Sequence, residues 1–340
     1  MKTIPKLSRR KFIKQFHGPP KGSSICCFRF WELVSAAGCP YQCAYCFLQA
    51  TPSFVFGNYP LSGAIFKNWE DMLKEVEQWL QSAKNRILVV GELQEGMAFE
   101  QAYKELAGES LAEMLIPKFA DQERNRLLFL TKSVDIQYAK KMQSSRNVIF
   151  CWSVNSEAAA KRWEKGAPSP SRRFKAAQEM KNLGWPVRLR LDPMIPYEGW
   201  PGDYAETVDR INGLAPEMVT LGTLRASNTL VAHTRRNGRK ASVFRFLREK
   251  DPSGFKWRVP YEQQLELYRF VLDRLDPSII VALCKEDRKV WKDLGMKFQG
   301  CNCMIEQPQK AQKESLDARH MYPQTEIHFD SMPLAAKSRD

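Results

Sequence analysis

Gly38-Cys39-Pro40-Tyr41-Gln42-Cys43-Ala44-Tyr45-Cys46-Phe47-Leu48 sets three thiols at C-x3-C-x2-C spacing directly after an apolar run at 28–35. Three sulfurs in one short loop satisfy three irons of a [4Fe–4S] cubane and leave the fourth iron open to a chelating molecule. A structural zinc asks instead for four closed ligands. No fourth Cys or His lies close by, His17 being 22 residues upstream of Cys39. Zinc and buried, unligated thiols are the rival readings of the loop. The chain has nine cysteines, an odd number. A disulfide scaffold is short and secreted, so metal binding or free thiols suit this chain better.

Outward from the loop, β-branched apolar runs alternate with segments of helical period. Strands are expected at 28–35, 87–92, 126–131, 147–154, 187–192, 218–223 and 278–283, and helices at 69–82, 99–118, 134–143, 156–164, 171–183, 203–214 and 260–275. Strand, helix, strand in regular order argues for parallel pairing through right-handed crossovers. The expected fold is α/β, a partial or nearly closed parallel (β/α)6-type barrel with a C-terminal extension. A doubly wound open sheet is the alternative. The expected organisation is a basic N-terminal arm over 1–25, the barrel over 26–305 with a basic insertion at 226–259, and a polar tail over 306–340. A long loop at 50–66 follows the cysteines, and loops of that length in compact domains are usually functional.

The 52 Lys and Arg outnumber 38 Asp and Glu, a net charge of +14 over 340 residues. That balance favours a polyanionic partner, most simply nucleic acid. No acidic residue precedes Glu32. Residues 235–258 hold nine Lys or Arg against Glu249 and Asp251, with Phe244, Phe246, Phe255 and Trp257 interleaved. Cations for phosphates and rings for stacking are what single strands or flipped bases require. Arg235, Arg236, Arg239, Lys240 and Trp257 are therefore candidate nucleic-acid contacts, against a solvated lid with its aromatics packed inward. No run approaches 18 apolar residues, so no membrane partner is expected. Ser8-Arg9-Arg10-Lys11-Phe12 looks like a twin-arginine signal, but Gln15-Phe16-His17-Gly18-Pro19-Pro20-Lys21 follows in place of an apolar segment. The expected location is the cytoplasm.

The cysteine loop resembles that of the radical S-adenosylmethionine superfamily. The run Cys39 to Gln49, together with Phe129-Leu130-Thr131-Lys132 and Trp152-Ser153-Val154-Asn155-Ser156, is similar to the spore photoproduct lyase family, which repairs a thymine dimer in DNA. Broader likeness continues through Arg188 to Pro196, Gly199-Trp200 and Leu221 to Arg225, so the resemblance spans about residues 25–305. It implies that Cys39, Cys43 and Cys46 hold a [4Fe–4S] cluster whose open iron is chelated by S-adenosylmethionine. One electron then cleaves the cofactor to a 5′-deoxyadenosyl radical that abstracts hydrogen from a substrate. It also implies that Lys132 and Ser153 contact the cofactor. Asn155, Arg190 and Glu92 complete the expected cofactor set, Glu92 as a carboxylate for the cofactor ammonium. A reductant such as flavodoxin or ferredoxin is the implied protein partner.

The chain departs from the family at two points. The lyases carry a hydrogen-donating Cys after the second strand, where Gly91-Glu92-Leu93-Gln94-Glu95-Gly96-Met97 has none. Phe47 follows the last cluster Cys where the lyases have a radical-relaying tyrosine; Tyr45 is retained as a candidate catalytic residue. Both departures point to a lyase-like paralogue with another substrate or another hydrogen donor. Cys151 is the candidate donor, because strand alternation puts 151, 153 and 155 on one face; a buried core thiol is the alternative. Cys284, Cys301 and Cys303 could hold a second metal or cluster, act as a redox relay, or be incidental thiols. The leading expectation is a radical enzyme acting on a nucleic-acid base. The alternatives are a radical enzyme with a small-molecule or protein substrate, and a non-enzymatic iron–sulfur protein that binds nucleic acid.

Overall fold

The computed structural model describes residues 4–298 except 17, 20–22, 28–29, 52–59 and 84–85. Cys301, Cys303 and the 306–340 tail lie outside the described residues. The centre of the molecule is an eight-stranded sheet. Its strands are β1 (Ile13–Phe16), β2 (Phe30–Leu33), β3 (Ile87–Val90), β4 (Arg126–Thr131), β5 (Val148–Val154), β6 (Val187–Met194), β7 (Met218–Thr223) and β8 (Ile280–Leu283). They lie side by side in chain order from β1 to β8. All neighbours run parallel except β1, which pairs antiparallel with β2.

A strand order without reversal has no topological switch point, which removes the doubly wound alternative. The sheet does not close, however: among the described residues no ladder joins β8 to β1. Closure needs every strand to tilt and stagger in concert, and an antiparallel β1 occupies the edge where a closing parallel strand would have to pair.

Helices cover one face. They are α1 (Trp69–Ser82), α2 (Glu100–Ala107), α3 (Leu111–Ala120), α4 (Glu157–Trp163), α5 (Pro170–Asn182), α6 (Trp200–Leu214), α7 (Asn228–Arg236), α8 (Tyr261–Leu272) and α9 (Arg288–Asp293). Right-handed crossovers taken always in the same direction put every connection on one side. Alternate residues of the strands divide accordingly. Leu88, Val90, Leu127, Phe129, Phe150 and Trp152 join the helices in the main core, whereas Phe30, Ile87, Val89, Leu128, Leu130, Ile149 and Cys151 form a separate apolar layer on the other face. Above that layer, toward the C-terminal strand ends, the same face turns polar.

Two helix expectations need correction. The helix expected over 99–118 is two, because Gly108 takes a left-handed conformation (φ 80°) that ends α2, and Ser110 with Glu113 forms a capping box that starts α3. The helix expected at 134–143 is only a 3-10 turn at Ala139–Lys141, since Ser133 and Val134 turn the chain locally, accepting from Asp135 N and Ile136 N. The described residues of the expected basic arm pack on the rest of the fold. Its residues 6–7 pair with 65–66, β1 edges the main sheet, and the backbone amides of buried Phe12 and Ile13 donate to the Glu75 carboxylate. No helix among the described residues is long and apolar enough to cross a membrane.

Candidate active site

The cysteine loop is held from behind. Gln42–Cys43 pairs antiparallel with Glu164–Lys165 at the end of α4, and Ala44 N donates to Trp163 O at 2.8 Å. Cys46 leads into a 3-10 turn at Phe47–Ala50. Within it, the buried Gln49 amide donates to the carbonyls of Ala44 at 3.1 Å and Cys46 at 3.2 Å. The basic insertion supplies the outer brace. The Thr234 hydroxyl donates to Ala44 O at 3.0 Å, the Asn237 amide to Gln49 Oε1 at 3.1 Å, and the Arg239 guanidinium to Cys43 O at 3.0 Å. The carbonyls of Ala44 and Cys43 are thus satisfied from outside the loop. Gly38 opens it at φ 81°, where a Cβ would stand 2.8 Å from Pro60 O.

The donor set fits a cubane. Burial pushes the Cys43 thiol up to about 12 and raises Cys39 and Cys46 as well. A cationic ligand is what converts such thiols to thiolates, with release of protons. A structural zinc asks for a fourth closed ligand, whereas three thiols suffice for a cubane that takes one sulfur per iron and leaves its fourth iron open.

Beside the loop, the ends of β4 and β5 meet it with charge. Lys132 Nζ donates to Ser153 Oγ at 2.5 Å, lies 3.8 Å from Glu164 Oε1 and sits 6.0 Å from the centre of the Tyr45 ring. Glu164, fully buried, accepts from the Tyr45 hydroxyl and from Arg173. Arg173, equally buried, also donates to the carbonyls of Pro168 at 2.8 Å and Ser153 at 3.1 Å. Burial alone would raise the Glu164 carboxyl, but Arg173 and Lys132 outweigh it and bring the value down to about 2. Tyr45, Lys132 and Ser153 thus come together beside the cysteine loop. Glu164 and Arg173 carried no motif, being single charges in a polar helical stretch.

A second charged group lies over β6, β7 and β8. Arg190 pairs with Glu92 and, at 3.4 Å, with Asp192; Asp192 reaches Arg225 at 3.6 Å, and Arg225 reaches Glu286 at 3.4 Å. Burial opposes ionisation of Glu92, yet Arg190 and Lys285 hold its carboxyl below the usual range. Glu92 and Arg190 thus meet one another. Gly222 makes room for Asp192, whose carboxylate carbon would be 2.5 Å from a Cβ there. Arg190 also donates to Cys284 Sγ at 2.8 Å. Glu92, Arg190, Thr220, Cys284, Lys285 and Cys27 line a pocket on this face. The Thr220 hydroxyl is buried there with no hydrogen-bond partner among the described residues. Lys256 of the insertion approaches from above; burial and the charges of Arg225 and Lys285 bring its ammonium down to about 8.

Other expected residues have different surroundings. Asn155 donates to Pro193 O at 3.0 Å and accepts from Ser156 N and the Tyr204 hydroxyl, tying β5 to the end of β6. Cys151 does share a face with Ser153, since the two pair with Arg188 and Arg190 of β6, but it is fully buried in the apolar layer below the polar groups. In the insertion, Phe244 is buried and Phe246 packs edge-on against Trp163 with ring centres 6.2 Å apart. Trp257 donates to Asn228 at 2.7 Å under the Lys250 ammonium, while Phe255 is 67% exposed.

A family model described as spore photoproduct lyase matches residues 31–237. The curated spore photoproduct lyase of Clostridium acetobutylicum is 24% identical over 180 residues, 53% of this chain and 51% of its own. That of Bacillus subtilis is 23% identical over 194 residues, 56% of this chain and 53% of its own. The chain thus spans about half the length of the curated relatives it matches. A solved spore photoproduct lyase complexed with dinucleoside spore photoproduct has a TM-score of 0.64 at 17% identity and covers 82% of each chain. A mutant of such a lyase with bound AdoMet and the same dinucleoside has a TM-score of 0.59 at 18% identity, covering 72% of this chain and 74% of the other. These likenesses establish the fold. The matched segment takes in the cysteine loop, Lys132, Ser153 and the insertion's helix, more than half of the sequence, and by it the chain belongs to the spore photoproduct lyase family.

Proposed function

We propose that this protein is a radical S-adenosylmethionine enzyme that abstracts hydrogen from a nucleic-acid base. Cys39, Cys43 and Cys46 would hold the [4Fe–4S] cluster. Once bound, the cluster supplies the electron that splits S-adenosylmethionine into methionine and a 5′-deoxyadenosyl radical. Everything else falls to side chains. Lys132, poised at the end of β4 between Ser153 and Glu164, offers its ammonium to the cofactor carboxylate. Ser153 offers a hydroxyl at the same point. Glu164 and Arg173 fix Tyr45 and Ser153 in place and leave no uncompensated charge beneath them. The observation that carries the reading is this juxtaposition of a three-cysteine loop with cationic and hydroxyl groups at neighbouring strand ends. The strand order supports taking the open sheet as an incomplete barrel, with this face as its interior.

A nucleic-acid substrate is supported by the dinucleoside bound in the related structures and by Arg225, Lys256 and Lys285 around the inner-face pocket. The segment 91–97, which by resemblance corresponds to the lyases' hydrogen-donor segment, holds Glu92, Gln94 and Glu95 but no Cys, which supports another substrate or another hydrogen donor. The test is anaerobic reconstitution with iron and sulfide, followed by dithionite and S-adenosylmethionine. Release of 5′-deoxyadenosine, abolished by Cys43→Ala, is expected. A fully loaded cluster that releases none would leave only a binding role.

A further inference from the structure

The segments wrapped around the outside of the cysteine loop carry one sign of charge. Residues 38–51, 158–178 and 227–248 contain a single acidic residue, Glu164, and it is buried against Arg173 and Lys132. Many of their cations are exposed: Lys161, Arg162 and Lys165 at the end of α4, Arg235 and Arg236 on α7, and Lys240 just beyond. The three segments form one continuous surface. A ladder joins 42–43 to 164–165, and α7 packs on the turn at Phe47–Ala50. The Trp163 indole reaches Ser242 Oγ at 3.5 Å. In the middle stands Phe47, 45% exposed and adjacent in sequence to Cys46. None of these residues lines the inner-face pocket.

We infer that this collar is the docking site for an acidic one-electron carrier protein, with Phe47 as its apolar contact and the cations as its steering rim. The inference rests on the cluster reading of Cys39, Cys43 and Cys46 proposed above. An electron has to enter close to the sulfurs, and the collar lies against the loop that carries them. A nucleic-acid track has to lead instead to the pocket that Lys285 lines, with Lys256 and Arg225 beside it. Electron-transfer contacts are small and transient, and complementary charge chiefly raises their association rate. Among the described residues of the collar Phe47 is the one exposed ring, an arrangement that matches that economy better than it matches a base-stacking platform, which needs successive free rings.

The holoenzyme is driven either by dithionite or by a reduced acidic flavodoxin, and 5′-deoxyadenosine release is followed in parent and in the R235E/R236E/K240E variant. With dithionite the two should release at the same rate. With flavodoxin the variant should lose about tenfold or more in kcat/KM, largely through KM, and most of its salt dependence. An unchanged response to flavodoxin overturns the docking site. So does a variant that keeps that response but loses single-stranded DNA binding, since the cations then serve nucleic acid. A loss with both reductants places the charges in the cluster's own environment and also overturns it. A parent that releases no 5′-deoxyadenosine even with dithionite sinks the radical-enzyme reading, and the docking site with it.

Discussion

Glu164→Gln removes one charge and almost no volume, and its effect can be worked from the contacts. Glu164 and Arg173 both have completely buried side chains, and Lys132 is 14% exposed. Without the carboxylate, the Arg173 guanidinium remains enclosed with only neutral acceptors, the introduced amide and the carbonyls of Pro168 and Ser153. Breaking a buried pair from one side costs about 3–5 kcal/mol, because the surviving charge stays desolvated. Arg173→Met should cost less, since Lys132 still compensates Glu164. The double variant should cost clearly less than the two singles added together, by about 1–3 kcal/mol, because the one charge it leaves unpaired, Lys132, is partly exposed rather than enclosed. Urea unfolding of the metal-free protein, followed by tryptophan fluorescence, reads all four corners of the cycle. The midpoint should move and the slope should not. The loss should carry over to the holo form, because residues 164–165 are the strand on which Gln42–Cys43 is laid. A loss under about 1 kcal/mol for Glu164→Gln, or strict additivity, would refute the idea that this ion pair braces the cysteine loop.

Four further outcomes are expected. Lys132→Met should keep the iron content and weaken S-adenosylmethionine binding by about tenfold or more, the worth of one charge-assisted contact; isothermal titration of the anaerobic holo form checks it. Lys256 titrates near 8 rather than at 10.5. Repulsion from Arg225 and Lys285 is therefore present below about pH 8, and it fades as the pH rises from there toward 10.5. An anion bound at this ammonium should be held tightly below about pH 8 and lose about an order of magnitude above it, whereas Lys256→Gln should show a flat profile in single-stranded DNA titrations. Gly91→Ala would place a Cβ 2.0 Å from Leu130 O at φ 124° and should cost more than about 3 kcal/mol. Gly202→Ala, with nothing within 4 Å in α6, should be neutral or gain about 0.5–1 kcal/mol in the same unfolding assay.

The C-x3-C-x2-C loop, the β/α rhythm and the placing of Lys132 and Ser153 at strand ends were legible from residue order alone. Each rests on local information: ligand spacing within eight residues, apolar period within one element, and the rule that sites gather at C-terminal strand ends. Whether the sheet closes was not legible, because closure depends on the tilt and stagger of all strands together and on what occupies the edge. Nor was the partnership of Glu164 with Arg173 and Tyr45, or the use of Thr234 and Arg239 to hold Ala44 and Cys43 across 190 and 196 residues of sequence. A basic insertion reads in the sequence as charge seeking an anion. Only the folded chain turns Arg239 into a brace for a carbonyl, packs Phe246 on Trp163 and leaves Arg235, Arg236 and Lys240 in solvent. The reason is physical: composition fixes how much charge a segment carries, while the partners its neighbours bring within hydrogen-bonding distance decide what each charge does.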